Sequence, residues 1–114
     1  GWLDTGSTVS NVGLVGGNFT GGWYVGGLVG GNLGTIKNAY ATGSVNGDTG
    51  VGGLVGWNLH TIKNSHATGN VTGNVDVGGL VGGTYIPNEG VIENVYATGN
   101  VKGNIDRWTG RVQL

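Results

Sequence analysis

Apolar and polar positions along the chain repeat with a period of about 26 residues, a length typical of stacked repeat architectures. The block VGGLVG begins at Val25 and returns at Val51 and again at Val77, with the same spacing each time. A second block, residues 35–43, returns at 61–69 with the same spacing. Self-similarity at one fixed spacing indicates that each unit stacks on the next.

The third copy of the second block, residues 91–99, comes four positions later than this period requires. The four extra residues lie within Gly83 to Gly90, which holds the only proline, so we expect a loop at a corner of the repeat. Residues 8–11 and 107–114 resemble degraded copies at the two ends. The sequence therefore predicts one repeat domain over residues 1–114, with units near 8–34, 35–60, 61–90 and 91–114.

The unit is too short for two packed helices, and each of its many glycines would cost a helix roughly 1 kcal/mol. Short runs rich in Val, Ile and Thr, separated by Gly and Asn, are typical of strands joined by turns. About three strands fit in one unit. We therefore predict an all-β fold, a parallel β-solenoid of about four coils in which equivalent residues stack about 4.8 Å apart.

Strand parity predicts which side chains point inward. Ala39 and Ala41 share the inward parity, whereas Tyr40 has the outward one. Ile36 must be internal although its parity matches that of Tyr40, so the chain has to turn a corner at Asn38. Asn tolerates left-handed backbone geometry and bonds its own backbone. We predict a ladder of stacked amides at this corner, made of Asn11, Asn38, Asn64 and Asn94.

The predicted core consists of columns of like apolar residues, one per coil. These are Val9, Ile36, Ile62 and Ile92; Val45, Val71 and Val101; Leu28, Leu54 and Leu80; and Val25, Val51 and Val77. We predict a long strand over residues 39–46, after Asn38, and because Ala and Gly occupy its inward positions, we expect the coil to be thin there.

The amino-acid composition argues against several classes of binding partner. Gly makes up 28 of the 114 residues and charged residues only 10%, with a net charge of −1. This balance argues against a nucleic-acid surface and a polybasic membrane patch. No apolar run approaches the length of a membrane span, about 18 residues, so we expect no membrane insertion. Without Cys, no thiolate metal site is available, and we expect no cofactor. The chain lacks Met, which suggests that it is processed or part of a longer chain.

The pattern VGGLVGxN followed by TIxNxYATGxVxG resembles the signature of the GLUG motif family. Three copies in register cover almost the whole chain. Proteins similar to it are typically large bacterial surface or secreted proteins, including adhesin-like chains and immunoglobulin-cleaving proteases that carry the motif outside their catalytic domains. The resemblance implies an extracellular or cell-surface location, a structural role and no chemistry of its own.

The outward face of the long strand is the candidate binding surface. Hydroxyls, amides and rings at a regular spacing suit carbohydrate or another ordered host surface. The alternative is that this face is only solvated, and that its Thr and Tyr residues are present because they favour β-strands. Its three columns are Tyr40, His66 and Tyr96; Thr42, Thr68 and Thr98; and Ser44, Asn70 and Asn100.

The sequence gives weaker support for a metal site or a catalytic site than for this binding surface. His60 and His66 have no fixed carboxylate partner with which to build a zinc site. Asp48, Asn74 and Asn104 share a turn column that suits either calcium or a structural Asx-turn, and one charged oxygen per coil favours the turn. The remaining acidic residues fall in different columns, which argues against a glycosidase pair. We predict no catalytic residue and no metal.

A non-enzymatic structural or adhesive module, a rigid spacer or fibre segment, is the leading interpretation. A head-to-tail filament is an alternative, because neither end carries an amphipathic helix or a charged run that would cap its strand edges. An ice- or crystal-binding solenoid would need a flat Thr-x-Thr array, to which only Thr68 and Thr72 come near. A polysaccharide-active β-helix enzyme would need an ionisable cluster, and the 5 basic and 6 acidic residues are scattered.

Overall fold

A computed structural model describes residues 1–84 and 91–104 of the chain, and these residues form strands and turns without a helix. The strands are β1 (Trp2–Leu3), β2 (Thr8–Leu14), β3 (Asn18–Thr20), β4 (Trp23–Gly26), β5 (Val29–Asn32), β6 (Thr35–Ala41), β7 (Ser44–Asn46), β8 (Thr49–Gly52), β9 (Val55–Asn58), β10 (Thr61–Ala67), β11 (Val71–Gly78), β12 (Val81–Thr84), β13 (Ile92–Ala97) and β14 (Val101–Asn104).

Three parallel sheets form the sides of the solenoid. Sheet I has the order β1-β5-β9-β12 and sheet II the order β2-β6-β10-β13. Sheet III stacks β3 and β4 on β7 and β8, these on β11, and β11 on β14. Each sheet therefore has four levels, and the chain visits the sheets in turn. This arrangement confirms the predicted all-β parallel solenoid of about four coils.

The pairing register follows the repeat period. Ile36 pairs with Val9 on one side and with Ile62 on the other. Ile62 in turn pairs with Ile92, although the chain between them is longer than one period. The four-residue insertion is thus accommodated without a shift in sheet II. Gly83 and Thr84, which we assigned to the loop, belong to β12, and residues 85–90 lie outside the described part of the chain.

Two apolar clusters fill the interior. The first contains Ile36, Leu54, Ile62 and Leu80, all fully buried, and the second is built from valines. Every predicted core column supplies buried residues to one of them, so the column assignment is confirmed. The end members of the columns, Val9, Leu28, Ile92 and Val101, are partly buried and pack against these clusters.

Glycine columns make one side of the solenoid thin. A methyl group on Gly56 would lie 2.5 Å from the carbonyl carbon of Tyr24 and 2.6 Å from the nitrogen of Val25. Gly30 and Gly82, one coil away on either side, have equally close backbone neighbours. None of the three has a positive φ, so space rather than conformation requires glycine here. The backbones of β4 and β8 consequently pack directly on sheet I.

The predicted corner at Asn38 is confirmed by its backbone. Asn38 has a φ of 52°, and the other three members of its column have φ between 50° and 57°. A second left-handed column, which we did not predict, precedes the VGG blocks and consists of Tyr24, Gly50 and Asp76, with φ of 55°, 68° and 53°. The left-handed backbone of these two columns therefore bends the chain within β6 and β10 of sheet II and within β4 and β11 of sheet III.

The packing predicts that Gly56→Ala will destabilise the fold by about 1–3 kcal/mol, because the methyl group would overlap backbone that cannot move aside. Gly22→Ala is the matched control, since a methyl group there meets nothing within 4 Å. We expect Gly22→Ala to change stability by no more than about 0.5 kcal/mol. Urea unfolding followed by circular dichroism measures both, and equal stability of the two variants would contradict the close-packing account.

Candidate binding surface

The aromatic column of the predicted binding face forms a stack of rings. The Tyr40 and His66 rings are 5.2 Å apart and nearly parallel, at 6°. His66 and Tyr96 are 4.8 Å apart and parallel, at 0°. At the first coil the column holds Gly13, and the Tyr40 ring occupies the space of the missing side chain. The rings of Tyr40 and His66 therefore have covered faces and offer their edges to a ligand, whereas Tyr96, which ends the stack, is 47% exposed.

The Thr and Asn columns lie at a corner rather than on a flat strand. The long strand that we predicted is divided, because β6 ends at Ala41 and β7 begins at Ser44. Gly43, at the break, sits so close to the preceding coil that a Cβ there would lie 2.5 Å from the Gly16 carbonyl oxygen. The polar array therefore bends between sheets II and III.

Two groups of this array already hold neighbouring coils together. The Gly16 backbone N–H donates to Thr42 Oγ1 at 2.8 Å, and the Asn100 backbone N–H donates to Asn70 Oδ1 at 3.0 Å. Thr68 and Thr98 are exposed at the same corner, as are both Asn side chains, while Ser44 is half-buried. The structure therefore brings the nine predicted residues onto one side of the solenoid, where they form a bent surface.

The predicted amide ladder lies on the outside of the solenoid. Asn38 Nδ2 donates to Asn11 Oδ1 at 3.3 Å, and Asn94 Nδ2 donates to Asn64 Oδ1 at 3.1 Å. All four side chains are exposed. A hydrogen bond between exposed amides competes with water and contributes little to the free energy of folding. The left-handed backbone at these positions is the stronger reason for Asn.

A second amide pair, which sequence reasoning missed, is fully buried. Asn32 Nδ2 donates to Asn58 Oδ1 at 2.8 Å and to the Thr61 carbonyl at 3.1 Å. Asn58 Nδ2 donates to the His60 carbonyl at 3.0 Å. In the third coil, the Thr84 hydroxyl donates to the Asn58 carbonyl at 2.9 Å. The available signal was the Asn that ends VGGLVGxN, which recurs one period later and is replaced by Thr at the third block.

The other candidate groups do not converge on a site. His60 Nδ1 is 3.0 Å from the Thr61 hydroxyl, within its own turn. The Asn74 backbone N–H donates to the Asp48 carbonyl at 2.8 Å, which joins two members of the predicted turn column, while the side chain of Asn104 lies outside the described part. The described residues contain no group of three or more His, Cys, Asp or Glu side chains placed to hold a metal ion. They also include no helix that is long and apolar enough to cross a membrane.

Charge plays a small part on this surface. Lys63 Nζ lies 3.5 Å from Glu93 Oε1, between two adjacent coils of sheet II. Both side chains are about half exposed, so their attraction is screened and is worth at most about 1 kcal/mol. Recognition on this side of the solenoid would therefore rest on hydroxyls, amides and ring edges.

A column of alternating Trp and Gly on the outside of sheet I also escaped the sequence analysis. Trp2, Gly31, Trp57 and Gly83 are neighbours in register. The Trp2 ring lies over Gly31, where an added Cβ would be 2.5 Å from Cε3, and the Trp57 ring covers Gly83 in the same way. The alternation at one position of the repeat was visible in the sequence, but its consequence depends on which residue each ring covers.

Tyr24 connects these indoles. Its ring centroid is 5.7 Å from those of both Trp2 and Trp57 and 6.1 Å from that of Trp23. Trp2 and Trp23 are 50% and 68% exposed. We call Trp2, Trp23, Tyr24 and Trp57 the aromatic patch.

Comparison with known protein families identifies the repeat. The model of the GLUG motif matches the chain three times in succession, over residues 21–46, 47–72 and 73–102. No curated protein and no solved structure matches the chain. The matched units begin at a different point of the coil than the predicted units, because a continuous repeat has no natural starting residue.

The exposed Asn column can be tested with a pair of substitutions at Asn64. Asn64→Ala should cost about 1–2 kcal/mol, because Ala tolerates the left-handed backbone poorly. Asn64→Gly removes the same amide but relieves the backbone, so we expect it to stay within about 0.5 kcal/mol of the parent. Urea unfolding measures both. An equal loss of stability in the two variants would show that the hydrogen bond between side-chain amides, rather than the backbone φ angle, stabilises the column.

Proposed function

Because the chain belongs to the GLUG motif family, whose three matched repeats here form a continuous β-solenoid, we propose that it is a non-enzymatic structural and adhesive module outside a cell. It acts as a rigid spacer or fibre segment and makes weak, repeated contacts through its outer surface. Flanking coils of a longer chain, or further copies, are its structural partners, and carbohydrate on a host or neighbouring surface is its ligand.

The observation that carries this proposal is the in-register stacking of all three sheets. Each coil buries its Ile, Leu and Val residues on those of the next, and the buried polar side chains of the described residues all have hydrogen-bond partners. A stack of this kind has no hinge between its levels. In repeat proteins of this design each unit contacts only its neighbours, so units can be added without a change in the cross-section of the solenoid. A rigid stack of constant cross-section is suited to the role of a spacer.

The ends of the described stack support a second candidate, the self-stacking filament. Sheets I, II and III each contain four levels, so a second copy placed head to tail would continue all three ladders. Its β1 would lie beside β12, its β2 beside β13, and its β3 beside β14. A heterologous contact of this kind repeats without closing. The predicted C-terminal copy, residues 107–114, lies outside the described residues.

The proposed location is tested by labelling cells of the source organism with an antibody against the folded domain. We expect labelling of intact cells, or recovery of the protein from the medium, because a spacer or adhesive module works outside the cell. An antibody against a cytoplasmic protein is the control for cell integrity. Labelling that requires permeabilisation, with nothing in the medium, would contradict the proposal.

The filament is tested by sedimentation velocity over a range of micromolar concentrations. Stacking should produce species that grow with concentration, and Val12→Lys should suppress them, because Val12 is exposed on the end strand β2, where a charged side chain opposes pairing with a second copy. Lys37→Ala is the control, because this exposed residue lies on β6, which is paired on both sides and is at neither end of the stack. Monomers at every concentration would remove the filament and leave the spacer within a longer chain.

A further inference from the structure

The aromatic patch borders a groove of about 460 Å³ at the first coil. This volume falls within the roughly 300–1,000 Å³ that is usual for small-ligand sites. Trp23 and Tyr24 belong to both the patch and the groove wall, and Asn18 and Thr20 add an amide and a hydroxyl. Aromatic surface and hydrogen-bonding groups thus meet at one place.

The groove is lined by uncharged side chains. In the described part of the chain, none of the side chains that line it carries a charge at neutral pH. A charged ligand would lose hydration there without gaining a side chain of opposite charge, which is costly. A ligand with many hydroxyl groups, by contrast, can form hydrogen bonds with the side chains of Asn18 and Thr20.

Tyr is a costly residue at position 24, because the column of Tyr24, Gly50 and Asp76 has a left-handed backbone and glycine already meets this need in the next coil. The Tyr24 φ of 55° is left-handed, whereas the next coil has Gly50 at the same level of the corner, with a φ of 68°. A bulky residue in this region costs about 1–2 kcal/mol and is a reason to look for a function. The Tyr24 ring covers Gly50, where an added Cβ would lie 2.8 Å from Tyr24 Cδ1, and it contacts Trp57 and Trp2. The strained corner therefore places a fourth ring among the three indoles.

We propose that the aromatic patch and its groove form a binding site for neutral carbohydrate. The π faces of exposed Trp rings are negative and attract the polarised C–H groups on one face of a sugar ring. The hydroxyls at the edge of the same sugar reach Asn18 and Thr20. The site lies apart from the column of Tyr40, His66 and Tyr96, in which the ring faces of Tyr40 and His66 are already covered.

This site deepens the adhesive part of the proposed function and rests on it. It names the ligand class as neutral sugar and gives the contact a defined location at the first coil. Sugar binding at this site does not require a surface that repeats in every coil, because the patch combines residues from coils that differ in sequence. The spacer role and the location outside the cell do not depend on it.

The test uses the whole chain and isothermal titration calorimetry, with tryptophan fluorescence as the second readout. Cellohexaose and mannohexaose are the neutral probes, and a galacturonic acid oligomer of similar length is the charged one. We expect a neutral probe to bind and to perturb the fluorescence. Trp23→Ala should weaken that binding about tenfold or more, equivalent to about 1.4 kcal/mol. Trp23→Phe should restore part of it by keeping a ring face.

Two controls separate the possible results. Trp23 is 68% exposed, so the melting temperature of Trp23→Ala should match that of the parent and exclude unfolding as the cause. Tyr96→Ala, in the stacked column, should bind the neutral probe as the parent does. Binding lost in Tyr96→Ala but kept in Trp23→Ala would overturn this assignment while leaving adhesion in place. Failure of both neutral probes at millimolar concentration, or binding of the acidic oligomer alone, would overturn it without affecting the surface-labelling result.

Discussion

Direct backbone contact across the thin side of each coil is the constraint on which the structure depends. Gly30, Gly56 and Gly82 let sheet I lie against β4 and β8 at distances that a single methyl group would not allow. The same thinness brings Gly27 and Gly53 within contact of the inward Ala41 and Ala67 of sheet II. Once the backbones meet this closely, each coil can be short, and Ile, Leu and Val from only a few positions are enough to fill the remaining interior.

Closing so short a coil requires sharp changes of direction, and left-handed corners inside the strands of sheets II and III supply two of them. At the first corner the chain uses Asn in every coil, and the exposed amides there add weak bonds between levels. At the second it uses Tyr24, Gly50 and Asp76 in turn. The second corner thus varies where the first does not, and this variation places Tyr24 among the exposed indoles. A constraint of folding and a candidate site meet at the same residue.

Aromatic residues serve two different purposes on the outside of the solenoid. In sheet II, Tyr40, His66 and Tyr96 follow one another and cover each other's faces. In sheet I, Trp2 and Trp57 alternate with Gly, so each ring lies over a neighbouring backbone, and the Trp2 side chain remains 50% exposed. The first arrangement strengthens the stack, whereas the second leaves an exposed aromatic surface beside a groove without charged side chains. This difference moves the candidate sugar contact from the predicted column to the aromatic patch.

The sequence by itself determined the repeat, the parallel solenoid, the core columns and the corner at Asn38, because period, parity and the backbone preference of Asn are properties of short segments. Only the tertiary structure decided which side chains meet across coils. The burial of Asn32 and Asn58, the break of the long strand after Ala41 and the gathering of four aromatic rings around Tyr24 all arise between segments about one coil apart. Those contacts depend on how far each backbone approaches its neighbour, and no local pattern contains that distance.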